Sequence, residues 1–199
     1  MKAIINTFIT AILMVLAFNS QAQQSFRLVP EKSNMKISGT SSMHDWEMSV
    51  EKFKCDFSVI IGNPSITIEK AHFTGISSSV KSHSSIMDKK ARAALDAGKY
   101  PEIKFRLVNP LKIPAESESF TGSATGELSI AGKTKIITLP VNGKIGSENS
   151  FVITGSKVID MTAFGIEPPT AMLGALKTGK DVKISFTINL QSEQGLANN

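Results

Sequence analysis

The feature that most constrains the fold of this chain is a two-residue alternation of apolar and polar side chains, clearest near the C-terminus. Over residues 182–190, Val, Ile, Phe, Ile and Leu alternate with Lys, Ser, Thr and Asn. Successive side chains of an extended strand point to opposite faces, so this run predicts a half-buried antiparallel strand. Weaker copies of the pattern occur at residues 35–37, 53–59, 66–68, 103–107, 128–130, 137–141 and 151–153.

Turn-forming residues separate these runs, so successive strands are expected to be joined by hairpins. The turn signals lie at residues 62–64, 109–110, 131–133, 142–143 and 146–149. Many antiparallel strands form either a sandwich or a closed barrel. An immunoglobulin-like sandwich carries a cysteine pair around its tryptophan, and the single Trp46 has none. The hairpin spacing therefore favours a meander that closes into a barrel, which at eight strands can enclose one small ligand.

One segment, residues 85–97, breaks the alternation and predicts a short amphipathic α-helix. Ser84 or Ser85 can cap its N-terminus, strong helix formers follow, and Gly98 is expected to end it. The helix is expected to lie across the barrel mouth or a sheet face. Its apolar stripe comprises Ile86, Met87, Ala91, Ala94 and Leu95.

The N-terminus predicts a signal peptide over residues 1–22. Lys2 precedes an apolar stretch over residues 3–18, and residues 20–22, SQA, match the small-x-small cleavage pattern. The remaining residues, 23–199, have the length of one domain. The expected location is the periplasm or the extracellular space.

Composition argues against several classes of protein. The formal net charge of +5 is mild, and Lys and Arg are interleaved with Asp and Glu, so nucleic acid is not an expected partner. Beyond the signal, no stretch approaches the roughly 18 apolar residues of a membrane-spanning helix. Cys55 is the only cysteine, so no internal disulfide can form. Its place between Phe53 and Phe57 predicts a buried structural side chain, with a free thiol or an intermolecular pair left open.

Several motifs, in a fixed order, carry a resemblance to a known family. The segments are GTSSMHDW at residues 39–46, MDKK at 87–90, AGKYPEIKF at 97–105, TGSATGELSIAGKTK at 121–135 and DMTAFGI at 160–166. Together they resemble the YceI-like family of polyisoprenoid-binding proteins, over about residues 26–190. The most specific pieces are KYPxIxF and GxLxIxGxT.

The resemblance implies a lipocalin-like, up-and-down antiparallel β-barrel of about eight strands, with one short amphipathic α-helix around residues 85–97. It further implies an exported, non-catalytic carrier that holds a long-chain amphiphile of polyisoprenoid, quinone, fatty-acid or fatty-amide type in its apolar interior. Apart from that bound lipid no cofactor is expected. Residues 47–52 depart from the Gly-rich segment of many members, so the ligand and its head group stay open.

Eleven apolar residues are candidates for lining the cavity. The aromatic strand positions can either pack the core or line a cavity, and the family resemblance favours the cavity. A helical turn or an ordered loop is expected at residues 170–176, where apolar residues can form a lid or a plug. The candidates are Trp46, Phe57, Phe73, Met87, Phe105, Leu128, Phe151, Phe164, Met172, Leu173 and Phe186.

Polar candidates for chemistry are weaker. His44 and Asp45 are adjacent on the chain, so their side chains face opposite sides of a strand and do not pair naturally. A role in a turn is the favoured interpretation, and contact with the ligand at the mouth is the alternative. His44, His72 and His83 lack the spacing of a metal site, and no Gly-x-Ser-x-Gly elbow occurs, so neither a metal nor catalysis is expected.

A second interpretation of the same sequence is a secreted structural or stress-related barrel, with a packed interior and a protein partner. The two interpretations differ in whether the isolated protein carries lipid. A transient contact with a membrane and a dimer are both left open.

The exported protein is predicted to begin at Gln23. The basic residue, the apolar stretch and the cleavage pattern together direct a signal peptidase to this bond. Intact-mass analysis of the exported form tests the prediction, which is wrong if residues 1–22 remain attached.

Overall fold

The computed structural model describes residues 23–146, 150–171 and 174–193, and most of them lie in antiparallel strands. The expected signal peptide, residues 1–22, lies outside these ranges. In chain order the elements are β1 (Gln23–Leu28), β2 (Asn34–Ser41), β3 (Trp46–Val50), β4 (Phe53–Ile61), β5 (Ser65–Ile76), β6 (Val80–Lys81), α1 (Ser85–Ala94), β7 (Glu102–Leu107), β8 (Leu111–Pro114), β9 (Ser119–Ile130), β10 (Lys133–Gly146), β11 (Ser150–Asp160), β12 (Thr170–Ala171) and β13 (Leu176–Ser192). Short 3-10 turns occur at Pro30–Lys32, Ser77–Ser79 and Met161–Phe164.

The strands close into a barrel. Neighbours pair antiparallel in the order β1, β4, β5, β7, β9, β10, β11 and β13, and β1 pairs again with β13. When β1 with β2 and β3 with β4 are each counted as one strand, every barrel strand lies beside the strand that precedes it in the chain. This arrangement is an up-and-down meander. The prediction of a lipocalin-like antiparallel barrel of about eight strands with one helix is confirmed for the described residues.

Two barrel strands are each built from two segments. β1 and β2 form one bent strand, because both pair with β13, at Leu28 with Leu190 and at Asn34 with Thr187. β3 and β4 form the next, since β3 pairs with β2 and β4 with β1. α1, the β2–β3 turn, the β9–β10 turn and Met161–Phe164 all lie at the same end of the barrel, which we call the helix end.

The alternation places one apolar row inside the barrel, as predicted. In β9, for example, Phe120, Ala124 and Leu128 are buried, while Thr121 and Ser123 are exposed. Every alternating run in the sequence lies in a strand. The runs did not predict β1, β3, β8 or the two-residue strands β6 and β12. The helical turn or ordered loop expected at residues 170–176 begins instead as β12, which pairs with β13.

Helix α1 forms where predicted but ends earlier. The Ser84 side chain accepts a hydrogen bond from the Met87 backbone N–H, which is an N-cap. The helix ends at Ala94 rather than residue 97, because Asp96 adopts a left-handed conformation with φ 46° that stops the helical turn. Ile86 is 69% exposed, so its assignment to the buried stripe was wrong.

A buried carboxylate ties α1 to the barrel wall. Asp88 accepts hydrogen bonds from the Ser82 backbone N–H at 2.7 Å and from the Ser82 hydroxyl at 2.9 Å. The Lys81 ammonium lies 3.4 Å away. These interactions, the backbone N–H of Ser82 foremost, lower the pKa of Asp88 below its usual 3.8. The charged form is therefore the one that stabilises this corner.

One stretch of the barrel wall lacks backbone hydrogen bonds between the neighbouring strands β10 and β11. β10 pairs with β11 only from Gly146 opposite Ser150 to Val141 opposite Gly155. Towards the helix end, residues 133–140 of β10 and 156–160 of β11 are not paired with each other, although each strand keeps its other neighbour. We call this opening the β10–β11 gap.

The described residues contain no helix with the length and apolar character needed to cross a bilayer.

Replacement of the buried carboxylate is predicted to change the pH dependence of stability. Because the pKa of folded Asp88 lies below its value in the unfolded chain, its contribution is complete above about pH 3.8 and is lost as the pH falls through the lower folded pKa. Asp88→Asn should therefore lower the free energy of unfolding at neutral pH, and its difference from wild type should shrink in acid.

Chemical denaturation at a series of pH values measures this difference. Asp45→Asn, which changes an exposed carboxylate in the β2–β3 turn, is the control and should follow the wild type. A deficit of Asp88→Asn that is the same at every pH would contradict the electrostatic account.

Candidate ligand-binding cavity

The barrel interior holds an apolar cavity of about 190 Å³ at its helix end. Side chains of α1, β2, β3, β11 and the Met161–Phe164 turn surround it. Trp46, Met87 and Phe164 contribute large apolar surfaces to its wall, and Ala91 and Leu95 form its helical side. We call this space the helix-end cavity.

A second apolar cavity of about 130 Å³ lies deeper in the barrel. Both cavities share five wall residues, so they are neighbouring parts of one interior space. We call the second the inner cavity. The shared residues are Met35, Phe73, Ile103, Ile159 and Ile184.

Most of the predicted site residues line these two spaces. Trp46, Met87 and Phe164 line the helix-end cavity, Phe73 lines both, and Phe57, Phe105, Leu128 and Phe186 line the inner cavity. Their contact with a ligand stays a prediction.

Among the predicted residues that the structure describes, Phe151 lines neither cavity. Phe151 is buried in the core, where its ring packs edge-on against Phe26 with ring centres 5.0 Å apart. Met172 and Leu173 lie outside the described residues.

The aromatic rings of the inner cavity lie directly against glycines of neighbouring strands. A Cβ added at Gly126 would lie 2.4 Å from Cζ of Phe105, and one at Gly155 would lie 2.6 Å from Cζ of Phe186. Gly143 has the same relation to Phe120. Each ring thus occupies the space of a missing side chain and stays close to the wall, which keeps the lumen open.

The cavity walls carry few polar groups. Cys55 is buried on the inner cavity wall, and desolvation, helped by the charge of Asp56, raises the pKa of its thiol to about 12. The thiolate that nucleophilic chemistry requires is therefore scarce at neutral pH. Lys90 lines the helix-end cavity and Lys157 the inner cavity, and neither wall includes an Asp or Glu.

One histidine, His72, borders the inner cavity from an exposed position, and the other two line neither cavity. His44 and Asp45 are exposed in the β2–β3 turn, where His44 Nδ1 hydrogen-bonds the backbone oxygen of Asp45 at 2.7 Å and Ser41 holds the turn backbone. This supports the turn role favoured from the sequence. His72 and His83 are exposed, and no group of potential metal ligands occurs within the ranges that the structure describes.

Sequence reasoning missed several wall residues. Three of them, Met35, Ile103 and Ile184, stand at alternating positions, which predict only that they face inward. Their position along the barrel axis brings them to the cavity. Lys157 also lies on the inward row of β11, between Gly155 and Ile159. A lysine in an otherwise apolar row was a signal available in the sequence.

A closed barrel of eight antiparallel strands around an apolar interior is the architecture of lipocalin-like binding proteins. The fold and the cavity place this protein in that class. Comparison with family models then gives the particular family. The chain belongs to the YceI-like domain family, whose model matches residues 26–190.

Solved structures share the fold at low sequence identity. A polyisoprenoid binding domain from Saccharophagus degradans, implicated in plant cell wall breakdown, is 13% identical with a TM-score of 0.66, covering 85% of this chain and 99% of that one. Burkholderia cenocepacia BcnA is 19% identical with a TM-score of 0.61, over 81% and 98% of the two chains. The Campylobacter jejuni YCEI protein is 20% identical with a TM-score of 0.57, over 73% and 84%. No curated protein sequence matches the chain.

A methyl group at Gly143 is predicted to destabilise the barrel through one ring. The new Cβ would lie 2.1 Å from Cε1 and Cζ of Phe120, which forces that ring into the cavity. Gly143→Ala should cost about 1–3 kcal/mol, the usual range for overpacking.

A double-mutant cycle tests the cause. Phe120→Leu removes the ring edge that the methyl group meets, so Gly143→Ala should cost less in that background than in wild type. Equal costs in the two backgrounds, measured by chemical denaturation, would assign the effect to the β10 backbone instead.

Proposed function

We propose that this protein is an exported carrier that holds a long-chain amphiphile in its barrel and performs no covalent chemistry. The observation that carries the proposal is the pair of neighbouring apolar cavities, whose walls share Phe73, Ile103 and Ile184. The ligand class is a polyisoprenoid, a quinone, or a fatty acid or amide. Membership of the YceI-like family and the polyisoprenoid binding named for the Saccharophagus degradans domain support this class.

Physical chemistry supports a chain as the main source of affinity. Removal of apolar surface from water contributes about 25 cal/mol per Å², so a chain of a dozen or more carbons binds tightly with few polar contacts. A wall of Met, Ile, Leu and Phe side chains adapts to a flexible chain without specific hydrogen bonds. Head-group contacts then decide which amphiphile is taken and in which orientation.

The wall chemistry supports binding rather than catalysis. The thiol of Cys55 is held protonated by its burial. Lys90 uses its ammonium to hydrogen-bond the backbone oxygen of Thr170, which ties α1 to β12. Cys55 and His72 both line the inner cavity, but Cys55 is buried, His72 is exposed, and no hydrogen bond joins the thiol to the imidazole as a nucleophile and its base require.

The alternative is a barrel with a packed interior and a protein partner. The two internal cavities favour the carrier, because a packed core leaves few voids larger than a water molecule. Export to the periplasm or beyond the cell is proposed from the N-terminal sequence. A carrier of this kind meets a membrane when it loads or releases its ligand.

Protein purified from its native compartment is predicted to contain a long-chain lipid in about equal molar amount. Mass analysis of an organic-solvent extract identifies it. An empty protein that also takes up none of a panel of isoprenoids, quinones and fatty amides would favour the packed barrel.

A pair of leucine variants locates the binding site. Ala124 lies on the inner cavity wall and Ser123, its neighbour on β9, is exposed on the outside. Ala124→Leu should weaken chain binding about tenfold or more, because each methylene excluded from the cavity forfeits about 0.8 kcal/mol. Ser123→Leu should bind like wild type. Circular dichroism of both variants verifies the fold, and equal binding by the two would place the chain elsewhere.

A further inference from the structure

The β10–β11 gap borders the inner cavity directly. Ile137 and Leu139 lie on its β10 side and Lys157 and Ile159 on its β11 side, and all four line that cavity. Strand backbones without ladder bonds have polar groups to share with water or with a ligand. The gap is therefore a stretch of the barrel wall where unpaired strand backbone borders the ligand space.

The outer rim of the gap carries two exposed apolar side chains among polar ones such as Thr138 and Ser156. Ile136 of β10 and Val158 of β11 are 60% and 59% exposed, and both belong to the unpaired stretches.

Lys157 is the cationic side chain of the β10–β11 gap that faces the inner cavity. It lies on the inward row of β11, is half-buried, and has neither an ion pair nor a side-chain hydrogen bond to any residue that the structure describes. An ammonium that is partly removed from water without a partner is costly. An anionic group bound beside Lys157 would meet an ammonium that no described carboxylate pairs with.

Charge around the interior points to the ligand as the source of that anion. Neither cavity wall includes an Asp or Glu, so the charged wall residues, Lys90 and Lys157, are both cationic. The Lys90 ammonium donates to the backbone oxygen of Thr170 and keeps its charge, whereas Lys157 has no side-chain partner among the described residues.

The carboxylates along the gap are engaged elsewhere. Glu127, opposite Ile136, accepts a hydrogen bond from Nη2 of Arg106 at 2.7 Å. Asp160 accepts one from Nζ of Lys180 at 2.7 Å, and this contact, with Thr162, lowers the pKa of that carboxyl to about 2. These pairs keep both carboxylates from neutralising Lys157.

We propose that the carried amphiphile has an anionic oxygen head group, a phosphate or a carboxylate, and that Lys157 binds this group in the β10–β11 gap while the chain lies in the cavities. The inference rests on the proposed carrier function and adds the chemical class of the head group and its place. Lys157 is a specificity-determining residue, because the chain supplies affinity to charged and neutral ligands alike.

Competition between ligands that differ only in the head group tests the inference. Purified protein is incubated with equal amounts of geranylgeranyl monophosphate and geranylgeraniol, and separately with palmitate and cetyl alcohol. Native mass spectrometry then measures the ratio of the two complexes. Wild type should prefer the anionic member by about tenfold, the scale of one charge-assisted contact.

Three variants test whether Lys157 causes the preference for the anionic ligand. Lys157→Met should lose the preference while still binding both alcohols, and Lys157→Arg should retain it. Lys183→Met is the matched control, because Lys183 is an exposed lysine opposite Val158 on β13 with no ion pair among the described residues. It should behave like wild type.

The outcomes separate the two proposals. Binding of both members without an anionic preference, or a preference that survives Lys157→Met, overturns the head-group inference and leaves the carrier function standing. Binding of none of the four ligands by wild type overturns the carrier function and the inference with it. A preference for phosphate over alcohol alone, without one for palmitate, supports the inference and restricts the head group to phosphate.

Discussion

Closure of the sheet through β13 is the interaction on which the rest of the structure depends. This strand of 17 residues pairs with β11 on one side and with both β1 and β2 on the other. Pairing of β1 with β13 joins the two ends of the sheet, so neither end strand is left as an open edge that could pair with another chain. It also fixes which row of side chains faces inward, so the chain needs neither a disulfide nor a second sheet to define an interior.

The barrel is not hydrogen-bonded along its whole circumference, because the β10–β11 ladder is incomplete. Away from the helix end, β10 and β11 are paired as far as Val141 opposite Gly155, whereas towards the helix end they are not paired with each other. Side-chain packing also keeps the interior open. The ring of Phe105 lies against Gly126 and that of Phe186 against Gly155, which leaves the barrel axis free. The interior is thus kept open by backbone positions that have no side chain, and the stretch without β10–β11 ladder bonds borders it.

The sequence predicted the barrel and much of its cavity wall, because alternation fixes the inward row and most inward aromatic residues meet the lumen. It could not separate Phe186 from Phe151, since both lie on inward rows and only the position along the barrel axis puts Phe151 against Phe26. β1 escaped prediction because Phe26 is its only buried residue. The early end of α1 depends on the left-handed Asp96, which has no signature in the local residue pattern. The β10–β11 gap has one signal, because Pro140, which lacks a backbone N–H, stands beside Val141 where the pairing stops.

Trp46 gives the barrel a built-in optical reporter. It is the single tryptophan of the chain, its ring lies against Gly39, and its indole Nε1–H donates to the backbone oxygen of Thr40 at 3.1 Å while the ring lines the helix-end cavity. Indole emission responds to the polarity next to the ring. Filling and emptying of the cavity can therefore be followed through intrinsic fluorescence in real time, without a label.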